Sequence, residues 1–246
     1  MHLFTLDTLY RGSVVKRPSK TCKSPYVADV LIDGHNETIM AHAGALGCNG
    51  LCDVSAVVLM TKMPEKKGAV CSYRIELAET SSGEIVGINP KLAEKIVEMG
   101  IMKSERVKSY KREKTILNSR FDFVGTYPSN QHFVLEVKTV PLSSDDGIAY
   151  FPHGYRKKKG DAVSPRALKH LDDLIEIATK SNAEALMCYV IQRRDANKFV
   201  PSETDPIYKE KFYEAYKSGV KMKTLYVEWN KNGECHMLDY RDFESG

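Results

Sequence analysis

The run Ser119-Arg-Phe-Asp-Phe-Val124, the turn Tyr127-Pro-Ser-Asn130 and the run His132-Phe-Val-Leu-Glu-Val-Lys-Thr-Val140 decide how this chain is read. Both runs are rich in aromatic and β-branched residues, and a proline- and asparagine-bearing turn separates them, so they predict two strands joined as a hairpin. Side chains alternate between the faces of a strand. Glu136 and Lys138 are therefore expected on one face, with Leu135 and Val137 packed on the other. Phe121 and Phe123 flank Asp122 and are expected to face the core. A hairpin would bring Asp122 beside Glu136, so that two carboxylates and an ammonium converge among apolar strands.

Such a cluster is costly unless something offsets it, because like charges repel and burial disfavours each of them. A divalent cation is one remedy, and hard oxygen ligands select Mg2+ or Mn2+. Asp122, Glu136 and the backbone carbonyl of Val137 are the candidate ligands. Lys138 is placed to orient an attacking water and to offset charge on a phosphoryl group, which makes phosphodiester hydrolysis the expected chemistry. An Asp and a Glu-x-Lys on strands are also commonly surface ion pairs worth under ~1 kcal/mol. The spacing alone leaves both readings open.

Working outward, residues 1–85 are β-rich. Short strands are expected at Ser13–Lys16, Tyr26–Ile32, Glu37–Ala41, Ala56–Thr61 and Ala69–Leu77, with an Asp33-Gly34 turn, a pattern of small barrels or sandwiches. A helix is expected from Asn89-Pro90 to Gly100. After it come the hairpin, a helix opened by a Ser164 cap and Pro165, a buried strand at Leu186–Gln192, a helix at Pro206–Ser218 and a strand at Val220–Trp229. Strands alternating with helices predict an α/β domain over 86–246.

The chain has 246 residues and a formal charge of +4. That charge permits an anionic partner without requiring one. Basic residues concentrate in Lys103–Lys114 and Arg156–Lys159, either of which is equally a solvated face. No apolar run is long enough for a membrane span, and Asp7 and Arg11 interrupt the N-terminal apolar segment, so an intracellular, non-secreted protein is expected. Of six cysteines only Cys48 and Cys52 are close, which argues against a structural zinc and for reduced thiols.

Several blocks together resemble the sugar fermentation stimulation protein A (SfsA) family: Glu113 with Ser119-Arg-Phe-Asp-Phe123, Leu135-Glu-Val-Lys-Thr-Val-Pro-Leu142, Tyr150-Phe-Pro152, Asp161-Ala-Val-Ser164 and Lys169-His-Leu171. The resemblance implies an N-terminal OB-like β-barrel (1–85) followed by a PD-(D/E)xK nuclease-like α/β domain (86–246). It implies DNA, rather than RNA, as partner and a metal-dependent nuclease activity, with Asp122, Glu136 and Lys138 in the catalytic motif and Glu113 as a further metal or water ligand. A DNA-binding regulator without turnover is the alternative. Arg120, Arg156, Lys157, Lys158, Lys159, Arg166 and Lys169 are the candidate nucleic-acid contacts. Arg166, Lys169 and His170 fall opposite the leucine stripe of their helix. Oligomeric state is left open, a homodimer included. The segment His153–Gly160 is an insertion relative to the family pattern, and the loop His42-Ala-Gly-Ala-Leu-Gly47 lacks the family's proline and asparagine.

Overall fold

The structure is a computed structural model; it describes residues 1–46, 48, 50–154, 158 and 160–244. Its main body is a seven-stranded sheet. In chain order the contributing strands are β1 (His2–Thr5), β8 (Ser109–Ile116), β9 (Ser119–Thr126), β10 (His132–Val140), β12 (Glu184–Ile191), β14 (Lys221–Trp229) and β15 (Glu234–Asp242). Their spatial order is β1-β15-β14-β12-β10-β9-β8. The central three, β10, β12 and β14, are parallel, and the flanking pairs are antiparallel.

Helices cover both faces, as a parallel core requires. On one face lies α1 (Pro90–Val97), continued by a π turn over Glu98–Met102, so the helical segment runs two residues beyond the expected stop at Gly100. Asn89 accepts the Lys91 amide at its start. Leu92, Ala93, Ile96 and Val97 pack there against Leu135, Val137, Leu186, Cys188 and Val190. On the other face α2 (Pro165–Lys180) and α3 (Pro206–Lys217) pack Leu171, Leu174, Tyr208 and Phe212 against Met187, Tyr189 and Ile191. The near-continuous apolar run of β12 follows directly, since its alternate residues feed two different cores. The expected serine cap on α2 is absent: the Ser164 side chain makes no capping bond. Asp205 does cap α3, accepting the Tyr208 amide, and it also accepts the Val163 amide at 2.7 Å, which ties the entrance of α2 to α3.

The N-terminal strands are β2 (Leu9–Lys16), β3 (Val27–Ile32), β4 (Thr38–Ala43), β5 (Val57–Lys62), β6 (Tyr73–Glu79) and β7 (Ile85–Gly87). They correct the expectation of a small OB-like barrel over 1–85. The unit is a six-stranded sheet in the order β4-β3-β2-β5-β6-β7, with an added parallel contact of three residue pairs between β4 and β6. It runs on past β6 to β7, whose three residues are all buried. The expected domain boundary thus falls on a strand, too short to show period-2 alternation, which leads the sheet toward the second domain: the Gly87 amide donates to the Gln192 carbonyl at 2.9 Å. The first residues also leave the N-terminal sheet, because β1 pairs with β15.

Two more elements differ from expectation. The basic stretch Lys103–Lys114 ends in the strand β8, and β15 follows the last expected strand. Both are edge-side strands whose exposed polar residues hide the alternation that marks a half-buried strand, and charge on β8 protects an open sheet edge. A short parallel pair, β11 (Ile148–Phe151) with β13 (Lys198–Pro201), stands beside the main sheet. Among the described residues no helix is long and apolar enough to cross a membrane.

Close packing beneath β8 sets a test. A Cβ on Gly125 would lie 2.4 Å from the Ser109 carbonyl oxygen and 2.5 Å from the Phe133 ring. Gly125→Ala is therefore expected to destabilise the fold by roughly 1–3 kcal/mol, the usual cost of overpacking a core, read as a lower urea midpoint at unchanged slope.

Candidate functional site

The β9–β10 ladder runs from Thr126↔His132 to Phe123↔Leu135 and stops there. One further step would set Asp122 opposite Glu136. Instead, the Val137 amide donates to the Asp122 carboxylate at 2.8 Å. The strands part at that point, and β9 loses its alternation: Phe123 enters the α1-side core and Phe121 the α2-side core, although a regular strand would put both on one face. Across β8, the register brackets Glu113 against Asp122, and Glu113 has φ of 53°, a left-handed conformation uncommon for glutamate. The site thus occupies an irregularity shared by three strands.

Strand β10 itself stays regular. Glu136 and Lys138 share the α2-facing side, as expected. Glu136 is 3% exposed. Its Oε1 accepts from Lys138 Nζ at 2.5 Å and contacts His170 Nδ1, which α2 carries into the site. Lys138 Nζ also lies 3.2 Å from that ring nitrogen. One nitrogen cannot donate to Glu136 and accept from Lys138 at once, and we assign its proton to the carboxylate, the stronger acceptor. Glu136 Oε2 is buried and has no hydrogen-bond partner among the described residues.

These surroundings set the charges. Burial pushes the Asp122 carboxyl up to about 7, helped by repulsion from Glu136 and opposed by the Val137 amide and Lys138. Burial also pushes Glu136 upward, but Lys138 and His170 together outweigh it and hold that carboxyl below its ordinary value. His170 is held below its usual value by burial and by the Lys138 ammonium, against the pull of Glu136.

The cluster floors a cleft of about 700 Å³. Its walls come from Gly44–Leu46 of the N-terminal sheet, the start of α1, the segment 150–154 and the entrance of α2. Arg17 fixes the first wall by donating to the Ala45 carbonyl at 2.7 Å. The charged lining is mixed: Lys91, Arg120, Lys138 and Arg166 against Glu94, Glu113, Asp122, Glu136 and Asp161.

Of the expected site residues, Asp122, Glu136, Val137 and Lys138 come together. Glu113 lines the same cleft but turns outward, pairing with Lys91 at 3.4 Å and Arg120 at 3.7 Å. Arg120 and Arg166 line the cleft. Lys169 instead donates to the Asn118 carbonyl at 2.5 Å and buttresses the β8–β9 turn. Lys158 is exposed, and Arg156, Lys157 and Lys159 lie outside the described residues. Two residues take roles that sequence patterning does not signal. Glu94 of α1 lines the cleft and accepts from Lys91 and Arg112, yet in sequence it is an ordinary helix glutamate. Helical spacing places His170 opposite the leucine stripe, but only the folded sheet reveals Glu136 beneath it.

Among the described residues no group of three or more His, Cys, Asp or Glu side chains gathers to hold an ion. Glu113 pairs with Lys91 and Arg120, which line the cleft with it, so Asp122 and Glu136 are the two carboxylates at the floor beside the Val137 backbone.

An α/β domain with a buried acid–acid–lysine cluster at a break between antiparallel strands, facing a second β-rich unit across a cleft, defines the class. A family model described as the sugar fermentation stimulation protein RE domain matches residues 87–233. The sugar fermentation stimulation protein homolog of Synechococcus sp. (strain JA-2-3B'a(2-13)) is 32% identical over 232 residues, covering 92% of this chain and 89% of its own. The homolog of Clostridium tetani is 30% identical over 218 residues, covering 85% and 86%. A structure described as Pyrococcus furiosus SfsA in complex with Ca2+ superposes with a TM-score of 0.82 over 100% of both chains at 22% identity, which shows the shared fold. The chain belongs to the SfsA family.

The raised Asp122 carboxyl has a consequence for stability. The unfolded chain gives up this proton near pH 3.8, the folded chain near 7, so ionisation costs folded-state stability progressively between those values and fully above them. Asp122→Asn keeps an acceptor for the Val137 amide and removes that cost. We expect it to raise the melting temperature at pH 8, by a gain on the order of a few kcal/mol, and to leave it unchanged at pH 4. Melting curves at the two pH values, compared with wild type, check this.

Proposed function

We propose that this chain is a DNA-binding protein that lays the phosphate backbone along β8 and β9 and into the cleft they floor. The observation that carries the reading is the set of exposed cations on these two strands, Lys111 and Lys114 of β8 and Arg120 of β9, of which Arg120 lines the cleft whose floor holds Lys138. Each phosphate contact made by a lysine or arginine releases counterions, so affinity should fall steeply with salt. Lys138 keeps the floor from being a bare acidic surface by neutralising Glu136, and Asp122 carries only part of a charge at neutral pH because burial holds its carboxyl at about 7.

Fluorescence anisotropy with a labelled DNA oligonucleotide in EDTA tests this. Binding should weaken markedly between about 50 and about 200 mM salt. The pair Lys111→Glu with Lys114→Glu should weaken it further and reduce the salt slope by about one unit for each phosphate no longer engaged, while Glu136→Gln, which frees the Lys138 charge, should bind at least as tightly as wild type. Affinity indifferent to salt and to the paired charge reversal would remove the reading.

A second reading, phosphodiester hydrolysis, is favoured by one observation: Glu136 Oε2 is buried and unpartnered among the described residues, next to a second carboxylate kept protonated above its ordinary range. Hard oxygen donors in that state suit a divalent cation. Asp122 and Glu136, with the Val137 carbonyl, would hold Mg2+ or Mn2+, which when bound polarises a phosphoryl oxygen and acidifies water. Within the chain, His170 fixes the Glu136 carboxylate so that Oε2 stays free. Lys138 is placed to orient the nucleophile and offset negative charge.

On this reading wild type cuts DNA with Mn2+ or Mg2+, EDTA stops it, and Lys138→Ala or Asp122→Ala lowers the rate about 100-fold or more. A wild-type protein that binds DNA but leaves it intact with either ion assigns the chain to binding alone.

A further inference from the structure

The cleft has two chemically different ends. One is the acidic–lysine floor. The other is aromatic and apolar, lined by Tyr150, His153, Leu46 and Leu142. The Tyr150 and His153 rings contact edge-on, centroids 5.7 Å apart and planes at 63°. An edge-on pair leaves each ring a face with no parallel partner. His153 Nδ1 is buried and has no hydrogen-bond partner among the described residues. A buried polar atom without a partner incurs the cost of a lost hydrogen bond, which a turn of the ring toward a ligand in the cleft would relieve.

We propose that this end is a subsite for one unpaired nucleobase, so that the chain engages nucleic acid as a single strand or at a locally unpaired nucleotide. The proposal rests on the nucleic-acid reading above and adds the form of the strand. Three features point to it. A volume near 700 Å³ lies within the range of small-molecule pockets, enough for a nucleotide or two. A base stacks on an aromatic face whatever its identity, and such stacking is a main source of affinity for single strands. His153 lines the same cleft, and its Nδ1, buried and without a partner among the described residues, would gain a hydrogen bond on turning toward an extruded base. A phosphate over the Lys138 floor and its base against Tyr150 would span the two ends of the cleft.

Anisotropy in EDTA with the whole 246-residue chain and four labelled ligands tests the proposal: a single-stranded oligonucleotide, the same sequence as a blunt duplex, that duplex with one unpaired nucleotide, and the single strand with one abasic residue. The single strand is expected to bind at least tenfold tighter than the blunt duplex, and a duplex with one unpaired nucleotide should recover part of that gain. Tyr150→Leu, which keeps apolar bulk against the core, and His153→Ala should each weaken single-strand binding about five- to tenfold or more and leave duplex binding unchanged. The abasic measurement uses wild-type protein, so a variant that misfolds does not decide the matter. Blunt duplex bound as tightly as single strand, or abasic strands bound as tightly as the intact strand wherever the abasic residue is placed, overturns the proposal while the nucleic-acid reading stands. No binding of any ligand overturns that reading as well.

Discussion

The bond from the Val137 amide to the Asp122 carboxylate sits where a strand ladder ends, and the rest of the site depends on it. A buried amide must find an acceptor. Here it takes a side chain in place of the neighbouring strand. That exchange lets β9 and β10 separate by one register step without an orphaned donor, and it fixes the Asp122 carboxylate toward Glu136. The cost appears as a carboxyl held near pH 7 and a buried Glu136 oxygen lacking a partner among the described residues. A fold with two complete apolar cores, one on each face of the sheet, can bear such a local penalty, because the central strands β10, β12 and β14 are packed on both sides.

The two β-rich units are joined by backbone as much as by side chains. The Gln192 amide donates to the Val140 carbonyl just past the parallel β10–β12 register, and its carbonyl receives the Gly87 amide. A Cβ on Gly87 would come within 2.2 Å of the Gln192 side chain and 2.7 Å of the Trp229 ring nitrogen, so glycine is required for β7 to come this close. At the other end β1 pairs with β15. The two units are therefore tied by backbone hydrogen bonds both at β7 and at β1.

Sequence patterning reaches as far as alternation and apolarity reach. Glu136 and Lys138 sharing a face follows from a regular β10, and β12 is legible because both its faces are buried. Where a strand is irregular or exposed, the signal fails. Phe121 and Phe123 part company at Asp122, which no period-2 pattern contains. Strand β8 reads as a run of charges because it is an edge, β7 is three residues long, and Gly100 does not end its helix because a π turn carries the chain past it. The outward turn of Glu113 depends on Lys91 and Arg120, contributed by α1 and the next strand. His170 is visible as a helix position, but its contact with Glu136 joins residues far apart in the chain and needs the sheet to be formed. The N-terminal strands are legible from their β-branched and aromatic runs, while their continuation through β7 hides in what looks like a linker.

The charge balance of the site bears on how an anion can approach it. Were both carboxylates ionised and free, a phosphate would meet repulsion in a partly desolvated cleft, where charges act more strongly than in water. The geometry prevents this from within. Lys138 and the His170 ring occupy one oxygen of Glu136, so that carboxylate arrives already compensated, and burial keeps Asp122 partly protonated. The arrangement is thus near neutral at pH 7 with no added ion. A site built in this way can accept a phosphate without an added ion, and its charge near neutral pH is set by the protonation of one buried aspartate.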